Sequence, residues 1–468
     1  MRGGTPSPKA KFRALCGNSR RGRLRVKRMK AGSLSFVEVL ATSIALIGPS
    51  MTPLLIAPYM YALAGNGTWL AYVFGGTMLV FVALCINQFA RRSSAAGSMY
   101  GYVADHLGPR AGAIAGWTLL WAYGFVATAV LGAMALFVER LLLAGGMHVP
   151  VLLVVVVLAA IAWQAAYRGV QVSAIVMLVL EAISVGIILI LVAIVLHAHG
   201  PSLDANQVRI KGGFPGGIGL AIAFAIFSFV GFESATAFGA EAKAPLVTIP
   251  RAVIGSVIFA AAFFVVATYA EIVGLAHLGR PLDKEQFPLQ TLVDGYGLGY
   301  LAIPITIGAV FSAFSVCLAC ITTGGRIAYA MAVAGRFPAI FARIEPKHDT
   351  PNVAVTFITV TALAVALAAL AFGVAPIDVF NNCGTLSSFG FILIYMLIAI
   401  AAIVYCGKLG SLRAIDVTIS VVALVLLLLA GVTLFYPVPA PPQRWFGYFF
   451  LAFIAAGWLW FRLRKASA

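Results

Sequence analysis

Gly48-Pro49-Ser50-Met51-Thr52-Pro53 interrupts an apolar stretch that otherwise runs from residue 36 to residue 63. Two prolines remove backbone donors in mid-stretch, and with the glycine they break an α-helix. A broken helix in a bilayer cannot turn its freed backbone groups toward lipid. They must be buried in protein or line a cavity.

One such break could be a simple proline kink. A second lies far downstream, in Phe227-Ser228-Phe229-Val230-Gly231-Phe232-Glu233-Ser234-Ala235-Thr236. Here a glycine, a carboxylate and hydroxyls interrupt another apolar run. A carboxylate at the bilayer centre costs at least ~2.5–3.5 kcal/mol on insertion scales, so something must offset it.

Composition supports a membrane setting for both. The chain has 468 residues, 62% hydrophobic and only 10% charged. A soluble core of this size could not hide so much apolar surface. Apolar stretches near the ~20 residues of a spanning helix recur at 36–63, 69–90, 111–143, 149–166, 172–197, 217–240, 252–277, 299–333, 353–372, 378–406, 414–436 and 445–463. Twelve spans place both termini on one side. On that side fall 26 Lys and Arg, and the other side holds six, namely Arg140, Arg209, Lys211, Arg280, Lys284 and Arg444. The bias predicts both termini in the cytoplasm. An all-α, polytopic membrane protein is expected, placed in a plasma membrane such as the bacterial inner membrane.

Residues 1–30 hold eleven Lys and Arg and no acid. Such an arm resembles an RNA-binding tail, but basic residues just inside a first span are what the positive-inside rule produces. No nucleic-acid partner is expected. Met29 reads as an alternative natural start, and removing residues 1–28 would lower the net charge from +17 to +7. The run from Phe36 is too long for a signal h-region and is expected to remain as an anchor. The expected organisation is a basic, disordered cytoplasmic tail (1–35), a ten-helix core (36–406), and two peripheral helices with a short cytoplasmic end (407–468).

Spacing gives the two breaks their meaning. Spans 1–5 and 6–10 form two halves, each opening with a broken helix. That is the pattern of an inverted repeat whose broken helices create a midplane site. Half-helix N-termini offer N–H groups and positive dipole ends to a carboxylate. Unwound carbonyls receive an ammonium. An α-amino acid carries both groups.

Several segments together resemble the amino acid–polyamine–organocation transporters across roughly 33–410. They are Ser35-Phe36 through Pro53; Ala95-Ala96-Gly97-Ser98-Met99-Tyr100 with Leu107-Gly108-Pro109-Arg110 and Gly116-Trp117; Phe229-Val230-Gly231-Phe232-Glu233 through Glu241-Ala242-Lys243 and Thr248-Ile249-Pro250-Arg251-Ala252; and Arg326-Ile327-Ala328-Tyr329-Ala330-Met331 with Gly335-Arg336-Phe337-Pro338 and Thr350-Pro351. The resemblance implies a leucine-transporter-like 5+5 inverted repeat with two additional C-terminal helices. It implies that substrate backbone groups meet Ile47, Gly48, Pro49, Ser50, Met51 and Thr52 on one side and Phe229, Val230, Gly231, Phe232, Glu233 and Ser234 on the other. Selectivity would come from helices 3, 6, 8 and 10, where Tyr123, Ser312, Ser315 and Ser387 are candidates.

Coupling is a separate question. Relatives that use sodium join helix-8 hydroxyls to helix-1 carbonyls at a cation site, which points to Ser312. Others place a lysine in helix 5. Sliding Gly169-Val170-Gln171-Val172-Ser173-Ala174 onto that pattern puts Ser184 at the lysine's place, with Glu181 one turn earlier. Glu181 is then either a proton carrier or a carboxyl paired with a polar neighbour that never titrates. Glu233 either binds a cationic substrate or satisfies unwound backbone, and the second reading is favoured. Glu271 is expected to be paired or cavity-facing, Glu38 to sit in a gate or surface ion pair, and His148, His197, His199 and His277 to lie solvated at external helix ends.

The function expected is secondary transport of an amino acid or related amine by alternating access, proton-coupled or by exchange. A receptor that binds without flux would use the same site. An enzyme is not expected, since no HExxH, GxSxG or clustered catalytic set occurs, and neither a cofactor nor a metal is called for. Cys317 and Cys320 form a CxxC inside an apolar helix and read as packing residues. A channel is disfavoured because no filter motif stands out.

Overall fold

The computed structural model describes residues 34–92, 99–169, 174–199, 205–211, 213–238, 242–348 and 350–466. The expectations placed on the basic tail up to residue 33, on Ala95-Ala96-Gly97-Ser98, on Val170-Gln171-Val172-Ser173 and on Glu241 fall outside these residues. Among the described residues the regular elements are helices, with two isolated bridge pairs, Leu34–Ala242 and Glu345–Thr350.

The first half opens with α1 (Phe36–Ile47), a π turn (Thr52–Ile56) and α2 (Ala57–Ala64). It continues with α3 (Thr68–Ala90), α4 (Met99–Leu107), α5 (Pro109–Ala144), α6 (Val151–Tyr167) and α7 (Ala174–His199). The second half opens with α8 (Ile218–Phe229) and a 3-10 segment (Phe232–Phe238), followed by α9 (Pro245–His277), α10 (Pro288–Gly295), α11 (Ala302–Val333), α12 (Asn352–Ala371) and α13 (Pro376–Lys408). The chain then adds α14 (Ala414–Thr433) and α15 (Phe446–Ala466). Proline opens α5, α9, α10 and α13, where its fixed φ suits a first turn and its missing donor costs nothing. Between α9 and α11 the chain folds into a 3-10 turn (Leu282–Lys284) and the amphipathic α10.

Both broken helices begin with a 12-residue segment, α1 and α8. Each is about 18 Å long, well short of the ~30 Å hydrocarbon layer, so neither crosses alone. Among the described residues, ten helical stretches are long and apolar enough to cross a membrane. One of them, Phe36–Ala90, is 55 residues long and contains the broken first helix together with α3. α6 is apolar but has only 17 residues.

α5 occupies the centre, packed against α11 and α13. α9 packs on α3 and α1, while α14 and α15 lie against α13 from outside. The end of α1 meets the 3-10 segment Phe232–Phe238, α7, α9 and α11. That convergence positions the site. Ser35 and Glu38 cap α1 reciprocally: the Ser35 N–H donates to Glu38 Oε2 at 2.6 Å and the Glu38 N–H to Ser35 Oγ at 3.4 Å. Glu38 is therefore a capping-box residue.

Candidate functional site

α1 ends at Ile47 because Gly48 adopts φ +64°, the left-handed conformation that glycine takes without penalty. Two tight turns follow, with Met51 N–H donating to the Gly48 carbonyl (3.1 Å) and Thr52 N–H to that of Pro49 (3.3 Å). Downstream, α8 ends at Phe229, Val230 is extended, and Gly231 takes φ +113°. The two breaks touch. A Cβ placed on Gly231 would lie 2.6 Å from the Leu46 carbonyl oxygen and 3.0 Å from the Ile47 nitrogen. Only glycine lets the second break lie across the end of α1.

A small void sits at this crossing. Its walls are Ile47, Gly48, Met51, Thr52 and Ile56 from the first broken helix, Phe227, Ser228 and Val230 from the second, with Val126, Val130, Val316 and Phe380 behind them. Its volume is about 20 Å³, room for about one water. It is too small for anything larger than water unless the helices part. The lining carries no charged side chain. Thr52, Ser228 and backbone groups supply its polarity, and the Ser228 hydroxyl lies 3.2 Å from that of Tyr72.

The expected site residues divide into three sets. Ile47, Gly48, Met51, Thr52 and Val230 line the void. Tyr123 and Glu233 instead bond to each other: the Tyr123 hydroxyl donates to Glu233 Oε1 at 2.7 Å. Glu233 Oε2 accepts the Gly231 N–H at 3.2 Å, so the carboxyl clasps its own break. Phe229 packs on Tyr72 and Phe264, and Phe232 on Tyr395. Ser315 donates to its own helix at Phe311 (3.0 Å), and Ser387 likewise to Gly384 (2.7 Å). Pro49, Ser315, Ser387 and Ser234 are not among the lining residues.

The third set lies behind the first break. Glu181 on α7 is 4% exposed, and its Oε1 accepts both the Ser50 N–H (3.1 Å) and the Ser50 hydroxyl (3.0 Å). Ser184 and Ser312 are buried nearby on α7 and α11. Elsewhere, Glu271 is buried on α9 with neither oxygen partnered among the described residues, and the rings of His199 and His277 meet edge to face at 5.0 Å. Sequence reasoning missed the void's rear wall, Val126, Val130, Val316 and Phe380. These are apolar letters in helices apolar all round.

A family model of amino acid permeases matches residues 42–463. The chain is 27% identical over 373 residues to the branched-chain amino acid permease of Bacillus subtilis, covering 74% of this chain and 75% of that protein. It is 31% identical over 360 residues to an uncharacterized transporter of Mycobacterium tuberculosis, covering 75% of each. The methylthioribose transporter of Bacillus subtilis matches at 24% over 419 residues, 85% of each chain.

Proposed function

The chain belongs to the amino acid permease family, and from that premise we propose that it carries a neutral aliphatic α-amino acid across a membrane by alternating access. One observation carries the choice of cargo: the void where the two breaks cross is walled by Ile47, Met51, Ile56, Val126, Val130, Phe227, Val230, Val316 and Phe380, with no acid or base among its lining. Such walls gain from burying an aliphatic side chain, by about 25 cal/mol per Å². The half-helix ends at Gly48–Thr52 and Phe227–Val230 supply the groups that receive the α-carboxylate and α-ammonium. The two oxygens of Glu233 accept from Tyr123 and from Gly231, which suits a structural acceptor at the break. The branched-chain permease among the relatives points the same way.

The membrane arrangement goes with this reading. We place twelve spans, counting α3 separately from the broken first helix and α6 as a crossing, with both termini in the cytoplasm of a bacterial inner membrane. Residues 36–406 form the moving core and 407–468 its periphery.

The test is uptake and exchange of labelled amino acids by the purified protein in liposomes. Leucine, isoleucine or valine should move in preference to lysine and glutamate. Transport of lysine in preference to leucine would overturn the cargo assignment. Binding detected by ligand-induced thermal stabilisation, with no flux in any mode, would make the chain a receptor.

A further inference from the structure

α6 carries an open groove along its surface. Val157, Ala160, Ile161 and Ala165 wall it, and Gln164 and Arg168 stand at one end. These residues recur at three- and four-residue spacing, so they form one stripe along the helix. Val157 and Ile161 are 47% and 51% exposed. The groove has a volume of about 570 Å³, within the ~300–1,000 Å³ of ligand pockets. From Val157 to Arg168 the helix rises about 16 Å, half of the ~30 Å hydrocarbon layer. That is the depth of one leaflet.

The end at Arg168 holds a fixed cation. The Gln164 amide, with its oxygen toward the guanidinium, accepts from Arg168 Nε and Nη2 at 2.8 Å each. A guanidinium has five N–H donors, so the remaining ones are left to an outside acceptor. Among the described residues the ion pairs are Arg280–Glu285 and His348–Glu345, and Arg168 belongs to neither. The nearby acid Glu345 is already taken, since its Oε2 meets both the His348 N–H and ring at 2.8 Å. Trp163 turns its indole N–H to Thr356 Oγ1 at 2.9 Å and leaves its ring to the groove wall. The helix end is anchored too: the Thr350 hydroxyl donates to the Tyr167 carbonyl at 2.7 Å, and the Tyr167 and His348 rings meet at 6.2 Å.

We propose that this groove seats an anionic phospholipid, its phosphate on Arg168 and an acyl chain along Val157–Ala165. In a bilayer an apolar wall one leaflet deep is covered by hydrocarbon, not water. The free donors of the guanidinium match phosphate oxygens as a fork, and Gln164 holds that fork at the polar end of the wall. In the membrane arrangement placed above, this end of α6 lies at the cytoplasmic leaflet, where anionic lipids concentrate. A cation without a carboxylate favours a lipid of net negative charge. A zwitterionic lipid brings its own ammonium and gains less. α6 packs on α5, α11 and α12, so the seated lipid braces the flank of the core.

The experiment uses the full chain, purified in detergent and stripped of lipid. Phosphatidylglycerol is the probe, with phosphatidylethanolamine and glycerol 3-phosphate as comparisons. Native mass spectrometry reads the retained species, and the apparent Tm reads stabilisation. Phosphatidylglycerol should be retained and should raise the Tm. Phosphatidylethanolamine should need a concentration about tenfold higher, the worth of one charge-assisted contact. Glycerol 3-phosphate, a headgroup without chains, should do neither. Arg168→Gln should erase the preference between the two lipids. Ile161→Trp fills the groove with Arg168 in place and should weaken both. Arg462→Gln, which removes an exposed cation stacked on Trp458 of α15, should change nothing.

Phosphatidylglycerol bound equally well by Arg168→Gln, or by Ile161→Trp, overturns the site. A loss in Arg462→Gln equal to that in Arg168→Gln reduces the effect to bulk charge and overturns it as well. Stabilisation by glycerol 3-phosphate would make this a free-anion site, and a retained polypeptide would make it a protein interface; either overturns the lipid assignment. If Arg168→Gln does not fold, Ile161→Trp, at a half-exposed position, decides alone. None of these readouts requires transport, so they stand or fall apart from the cargo.

Discussion

Ser50 and Glu181 are joined twice, 131 residues apart in the chain: one carboxyl oxygen accepts both the backbone N–H and the hydroxyl of Ser50, at 3.1 and 3.0 Å. The link ties the turn between α1 and α2 to α7. It also occupies a backbone donor that the break would otherwise leave unmade in an apolar interior.

Ser50→Ala removes half of this link and leaves the backbone half. A buried group that loses its partner costs about 1–3 kcal/mol. The apparent Tm in detergent should fall for Ser50→Ala and for Glu181→Leu, and the double variant should fall by less than the sum. A coupling of about 0.5–3 kcal/mol is expected for residues in contact. Additive shifts would show that the two do not support each other.

The two break glycines should not be equivalent. Both have positive φ, which costs an L-residue about 1–2 kcal/mol. At Gly48 the nearest atom to an added Cβ is Val316 Cγ2 at 2.6 Å, a side chain that can turn. At Gly231 the nearest atoms are the Leu46 carbonyl and the Ile47 nitrogen, backbone of the other broken helix. Gly231→Ala should therefore abolish leucine-induced thermal stabilisation, while Gly48→Ala weakens it. The reverse ranking would show that the crossing is looser than its geometry.

The breaks were legible because glycine and proline act locally: Gly48, Pro49, Pro53 and Gly231 force backbone conformations whatever surrounds them. The order of elements followed, since a second break at the head of the second half repeats the first. Glu181 stood out as an acid in an apolar run. What surrounds these residues was not legible. Tyr123 meets Glu233 across 110 residues, and nothing in either helix announces the other. The wall of the void depends on how α5 and α11 are rotated. In helices apolar on every face, Val126 and Val316 look no different from residues turned toward lipid. The cap that Ser35 and Glu38 form on α1 went unread, although its spacing of three residues is a local signal.

The bond between Tyr123 and Glu233 should matter to transport without either residue touching the cargo's side chain. Tyr123→Phe removes a hydrogen bond to a buried acid, a loss of about 1.5–3 kcal/mol for bonds to charged groups. Leucine uptake should fall, and the choice among leucine, isoleucine and alanine should stay constant. A variant that gained lysine transport would mean that Glu233 reads the substrate's charge.

Selectivity among aliphatic cargoes should instead follow the wall of the void. Val126 lies behind the crossing on α5 and is 1% exposed. Val126→Leu fills space that a cargo side chain needs, and Val126→Ala opens it. One methylene in an apolar pocket discriminates by about 1–3 kcal/mol, or roughly 10–200-fold. Competition of unlabelled leucine and alanine against labelled alanine uptake reads the ratio directly. Val126→Leu should shift preference toward alanine, and Val126→Ala toward leucine and larger side chains. Shifts of the same sign in both variants would reflect general damage to the core, and would place the side-chain pocket away from α5.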